Sequence, residues 1–159
     1  MEQRTRILVD ADACPVKDII LRMAKQRNIP VTMIIDTSHE LDDGYSTIVT
    51  VDKGPDSADY AITGMATRYD IVVTQDYGLA AMTLAKGSSV IDQNGMAYTS
   101  ENIDSLLERR YIGQKIRRGG GRTRGPKKRT REDNGRFEAT LGKMLEPVGQ
   151  SATAHPDKL

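Results

Sequence analysis

Hydrophobic positions along the chain fall into short continuous runs, separated by stretches in which they recur every three or four residues. Ile7-Leu8-Val9 is the first run and predicts a strand over residues 5–10, covered on both faces. Ile19, Ile20, Met23 and Ala24 follow at helical spacing, so residues 15–27 are expected to be helical. Pro15 suits the first helical position, and Asn28 suits a left-handed terminator. Val31 to Ile35 repeat the strand pattern and Asp36 closes it; residues 36–46 read as a polar loop with a turn at Asp42-Asp43-Gly44. Thr47 to Val51 alternate as a third strand. Asp56 opens a helix that turns Ala58, Ala61, Ile62 and Met65 inward. A fourth strand runs from Ile71 to Thr74. Leu79, Ala80, Met82 and Ala85 mark a helix that stops at Gly87, and Val90-Ile91 is a last short strand before the turn Asp92-Gln93-Asn94-Gly95.

Beyond that turn the periodic stretches are helical. Ser100 is the expected N-cap of a helix anchored by Ile103, Leu106, Leu107 and Ile116. Thr130 with Asp133 resembles a capping box and would start a final helix, docked through Phe137, Leu141 and Leu145. Alternating strands and helices predict an α/β fold, a mostly parallel sheet flanked by helices on both faces. Residues 1–146 are expected to form one domain, with a basic loop at 114–131 and a helix at 131–146; residues 147–159 are expected to be a disordered tail.

In such a fold, strands end and helices begin along one edge, where ligands bind. The acids fall there. Asp10 and Asp12 follow the first strand, Asp56 and Asp59 open the helix after the third, and Asp76 follows the fourth. Carboxylates crowded on one rim repel, and a hard divalent cation, Mg²⁺ or Mn²⁺, relieves the conflict. Asp10 and Asp76 are the expected principal ligands and catalytic groups, with Asp12, Asp56 and Asp59 completing the site. Helix capping is the competing explanation, since each of these turns opens a helix. It is weakest for Asp12, because Pro15 at the first helical position makes Cys14 the cap.

Other chemistries fit less well. Asp10-x-Asp12 also suits phosphatases that use the first Asp as nucleophile, but these need a hydroxyl or lysine partner and a later acidic pair following a strand, and Asp42-Asp43 lies in a loop too early in the chain. Cysteine phosphatases need an arginine six positions after the cysteine, where this chain has Ile20; Cys14 reads as a small buried thiol. His39 and His155 have no partner at metal-ligand spacing. The glycines at 119–121 follow a helix among arginines and do not form a nucleotide-binding loop.

Composition changes the picture in one respect. The net charge is +1 over 159 residues, yet residues 1–110 hold 11 Lys and Arg against 17 Asp and Glu, while residues 111–131 hold 9 Lys and Arg and no acid. Lys115, Arg117, Arg118, Arg122, Arg124, Lys127, Lys128, Arg129 and Arg131, spread through Gly, Pro and Thr, suit contact with a phosphate backbone. No aromatic residue lies between these cations, so base readout by this segment is not expected. The partner expected is nucleic acid, RNA in particular. One cysteine excludes an internal disulfide, and no apolar run would span a membrane, so a cytoplasmic protein is expected.

Val9-Asp10-Ala11-Asp12-Ala13-Cys14-Pro15-Val16-Lys17, Gly54-Pro55-Asp56-Ser57-Ala58-Asp59, Val72-Val73-Thr74-Gln75-Asp76, Asn94-Gly95 with Tyr98-Thr99, and Gly121-Arg122-Thr123-Arg124-Gly125-Pro126 resemble, in order, the YaiI/YqxD family of bacterial proteins. The resemblance spans roughly residues 5–146. It implies a PIN-like fold and, by analogy with PIN domains, a metal-dependent ribonuclease in which Asp10, Asp56 or Asp59, and Asp76 take the acidic positions and Asp12 is an addition. Tyr77-Gly78, where an apolar residue and proline are usual, and Tyr60, where tryptophan is common, depart from the family pattern. The expectation is a Mg²⁺- or Mn²⁺-dependent nuclease-like protein; the alternative is a noncatalytic RNA- or ribosome-binding module whose acids are helix caps.

Overall fold

A computed structural model describes residues 4–120 and 128–146. Five strands lie parallel in one six-stranded sheet: β1 (Arg6–Asp10), β2 (Val31–Asp36), β3 (Thr47–Val51), β4 (Asp70–Val73) and β5 (Ser89–Ile91), with β6 (Ala97–Tyr98) antiparallel at the end. The strand order is β3-β2-β1-β4-β5-β6. The chain thus winds one way from β1 to β3 and the other way from β4 onward. The reversal leaves a crevice at the C-terminal ends of β1 and β4.

Period-two alternation in the central strand sorts the core. Ile7 and Val9 point to one face, where they pack with α1 (Lys17–Arg27) and α5 (Arg131–Met144) through Ile20, Met23, Phe137 and Leu141. Leu8 points to the other face, with Ile34, Val72 and Val90, under α2 (Ser57–Met65), α3 (Tyr77–Ala85) and α4 (Ser100–Arg118). Helices cover both faces, as the hydrophobic pattern requires. The final helix docks as expected, and the Thr130–Asp133 capping box is present in full.

Several local expectations are corrected. Helix α1 starts at Lys17 with Val16 as its cap; Pro15 belongs to the preceding turn. The cap of α4 is Thr99, whose Oγ1 accepts from Asn102 N while its own N–H donates to Asn102 Oδ1. Ile116 is 43 % exposed and anchors nothing. Helix α4 runs on through Arg118, so Lys115, Arg117 and Arg118 lie on a helix and not in a loop. Strand β6 has no counterpart in the hydrophobic pattern. Arg122, Arg124, Lys127 and the expected tail at 147–159 lie outside the described residues. No helix among the described residues is long and apolar enough to cross a membrane.

Candidate metal centre

Asp10 is the last residue of β1 and sits at the crevice. Its Oδ2 accepts from Thr74 Oγ1 at 2.9 Å, and the same hydroxyl accepts from Asp76 N at 3.0 Å. Thr74, buried just past β4, therefore ties the two acidic turns together. Asp76 Oδ1 caps α3 through Leu79 N at 3.1 Å and lies 3.7 Å from Arg110 Nη1 on α4. Asp59 reaches the same edge from the first turn of α2. Burial pushes its carboxyl up to about 6, and the charges of Asp76, Asp10 and Asp56 add to the rise. Asp10 is also raised, by burial first, against the Thr74 hydrogen bond, with Asp76 and Asp12 adding repulsion. Three elements thus bring carboxylates within electrostatic reach of each other, and two of them bind protons more tightly than ordinary aspartates.

Capping accounts for one of these acids and not for another. Asp76 caps α3 with its side chain, whereas Asp56 holds the cap position of α2 without a side-chain cap bond. The crevice lined by Asp10, Asp12, Cys14, Thr74, Gln75 and Gln93 measures ≈ 30 Å³, room for an ion or a water. A larger cavity of ≈ 770 Å³ lies at the opposite edge, beside Thr5, Asn28 and Pro30, where these acids are absent. Burial raises the Cys14 thiol, which packs against the core as a small apolar group.

Asp12 lines the same crevice as Asp10 and also reaches across to the end of β2. Its Oδ2 accepts from Asp36 N at 3.1 Å, a contact set up by the turn at Ala13, whose φ of 60° is left-handed. His39 Nδ1 stands 2.9 Å from Asp12 Oδ1 and 3.2 Å from Asp36 Oδ1. Asp12 Oδ1 is shielded from solvent and makes no hydrogen bond of regular geometry despite that proximity. Among the described residues, Asp12, Asp36 and His39 are the group of three whose ligand atoms all lie within 4.8 Å of one another, a set that could bind a metal ion. Spacing along the chain gives His39 no partner and does not select Asp36. The signal that could have found them is positional: Asp36 ends β2 on the edge where Asp10 ends β1, and His39 follows three residues later.

Of the basic residues, Lys115, Arg118, Lys128 and Arg131 are exposed. Arg129 is committed elsewhere: its guanidinium donates to Asn134 Oδ1 at 2.7 Å, Asn94 Oδ1 at 2.8 Å and the Gln93 carbonyl at 2.7 Å. It braces the start of α5 against the β5–β6 turn. Gln93 lines the acidic crevice, so the basic segment re-enters the fold beside the acids.

A family model described as "Uncharacterized BCR, YaiI/YqxD family" matches residues 8–147. A "UPF0178 protein" of Ruminiclostridium cellulolyticum is 60 % identical over 91 % of this chain and 95 % of its own length. Another, of Alkaliphilus oremlandii, is 49 % identical over 97 % of this chain and 99 % of its own. A third, of Clostridium acetobutylicum, is 46 % identical over 88 % and 96 %. No solved structure matches the chain significantly.

Proposed function

The chain belongs to the YaiI/YqxD family, and we propose that it is a divalent-metal-dependent, PIN-like nuclease that acts on RNA at the acidic edge of its sheet. The observation that carries this reading is the crowding of Asp10, Asp59 and Asp76, which come from three separate elements: burial and then the neighbouring carboxylates raise the proton affinity of Asp10 and Asp59, and Arg110 beside Asp76 is the cation that partly offsets them. Carboxylate oxygens suit a hard cation such as Mg²⁺ or Mn²⁺, and one oxygen of Asp10 is held by Thr74 and one of Asp76 by Leu79 N, leaving the second oxygen of each for a ligand; the three ligand groups already within 4.8 Å of one another are those of the adjoining Asp12, Asp36 and His39. When bound, such an ion supplies Lewis acidity that activates water and neutralises phosphate charge. The protein's own contribution is positional. Thr74 fixes Asp10 and the turn at Asp76, Arg110 offers a cation to a phosphate beside Asp76, and the exposed Lys115, Arg118, Lys128 and Arg131 suit the strand on either side. A reducing cytoplasm suits the single cysteine.

The test is Mn²⁺ calorimetry together with cleavage of single-stranded RNA, both in a His39→Ala background so that the neighbouring Asp12–Asp36–His39 group lacks its imidazole ligand in every protein compared. Asp10→Asn with Asp76→Asn is expected to weaken Mn²⁺ binding by about tenfold or more, and to abolish cleavage. Asn retains capping ability, so helix α3 survives the change. Equal Mn²⁺ affinity in both proteins would sink the metal reading. The noncatalytic RNA- or ribosome-binding alternative draws support from the Asp76 cap and predicts unchanged RNA affinity in the double variant, with no cleavage by either protein.

A further inference from the structure

Tyr60 is 80 % exposed and Met82 is 42 % exposed, and both line a cavity of ≈ 360 Å³ with Asp56, Asp59 and Thr63. The cavity follows from helical spacing. Asp56, Asp59, Tyr60 and Thr63 share one face of α2, while Ala58, Ala61, Ile62 and Met65 turn into the core; Met82 comes from α3. An aromatic ring left in water on a well-packed helix serves no core role. The Thr63 hydroxyl on the same wall is buried without a hydrogen-bond partner among the described residues. Asp59 belongs both to this cavity and to the acidic edge, so whatever fills the cavity abuts the candidate metal centre.

We propose that this cavity holds an unpaired nucleobase of the RNA strand whose phosphate lies at the acidic edge, with Tyr60 as its stacking platform. The inference rests on the nuclease reading and names a substrate feature of that same site. The wall chemistry selects a base over other ligands. Two carboxylates exclude an anion from the cavity but accept from N–H groups, and a phenol ring with a thioether favours a flat, polarisable face. A planar heterocycle carrying an exocyclic amino group meets both demands: adenine, guanine or cytosine. The basic segment supplies backbone contacts only; Tyr60 adds the base contact that segment lacks.

The chain contains no tryptophan, so Tyr60→Trp places a single tryptophan at the cavity, excited selectively at wavelengths the tyrosines do not absorb. The full-length variant is titrated in Mg²⁺ with single-stranded octa-adenylate and with an abasic ribose-phosphate octamer. Quenching by the first and not by the second is expected. Tyr60→Ala is expected to bind octa-adenylate about tenfold more weakly than wild type, with abasic affinity unchanged and with Tyr60→Phe close to wild type. Equal quenching by both oligomers, or unchanged octa-adenylate affinity in Tyr60→Ala, overturns the base pocket and leaves Tyr60 and Met82 as a protein-contact surface. Base-dependent quenching without Mg²⁺-dependent cleavage overturns the nuclease reading alone. Cleavage that ignores the base at this position overturns the pocket alone.

Discussion

Asp59 carries the most informative charge in the molecule. Its folded-state pKa of about 6 stands above the ordinary 3.8, through burial first and then the charges of Asp76, Asp10 and Asp56. A carboxyl raised by folding binds its proton more tightly in the native state than in the unfolded chain. The ionised form is therefore a destabilising term at pH 7, relieved as pH falls through about 6 toward 4. In chelator, Asp59→Asn should raise Tm at pH 7.5 by a few degrees at most, because partial exposure screens the repulsion, and the gain should vanish near pH 4. Thermal melts of both proteins from pH 4 to 8 check this, and a constant difference would contradict it. A bound cation works on the same charge from the other side: it favours the ionised form, so Mn²⁺ should bind more weakly as pH drops below about 6.

At the scale of elements, α5 depends on a turn distant in sequence. Gly95 has a φ of 88°, and a Cβ there would lie 2.5 Å from the carbonyl carbon and oxygen of Arg136, so only glycine lets the β5–β6 turn meet the helix. Thr140 Oγ1 donates to the Gly95 carbonyl at 2.7 Å, and Phe137 and Leu141 are fully buried beneath. Gly95→Ala should cost about 3 kcal/mol and Phe137→Ala about 4 kcal/mol. Both release the same helix, so the double variant should cost clearly less than the two losses combined, as urea denaturation would show. The helix is legible in the sequence because Thr130, Asp133, Phe137 and Leu141 announce cap and buried stripe within one short window. Strand β6 is not: two residues carry no period, and only the pairing of Ala97 with Ile91 and of Tyr98 with Val90 makes them a strand. The acids of the edge are legible because parallel α/β winding dictates where strand ends go. His39 is not, because its approach to Asp12 depends on a left-handed Ala13 and on β2 lying beside β1, neither of which spacing encodes.

Over the whole molecule, charge is separated along the chain and then brought back together. An acidic body ends in a basic segment that returns to the acidic crevice at Gln93 and Asn94 through Arg129. On the proposed function, a strand of RNA following the exposed cations would be led toward carboxylates that repel it, unless a divalent ion sits among them, so phosphate binding and ion binding would be interdependent. It also divides the basic residues by role. Lys115, Arg118, Lys128 and Arg131 face solvent, whereas Arg129 spends its donors on Gln93, Asn94 and Asn134. Replacing the four exposed residues by Gln should leave Tm unchanged and flatten the salt dependence of single-stranded RNA binding by about 0.7 in log–log slope for each phosphate no longer neutralised. Arg129→Gln should do the reverse, lowering Tm while the slope stays near wild type, because it loosens α5 from the β5–β6 turn and leaves the phosphates neutralised as before. Affinities measured between 50 and 200 mM salt, roughly the range over which counterion release is resolved, together with melts of both variants, separate the two roles. A steep slope retained by the fourfold variant would mean that these four residues do not hold the phosphates. A flattened slope in Arg129→Gln would mean that its guanidinium leaves the turn to meet the RNA.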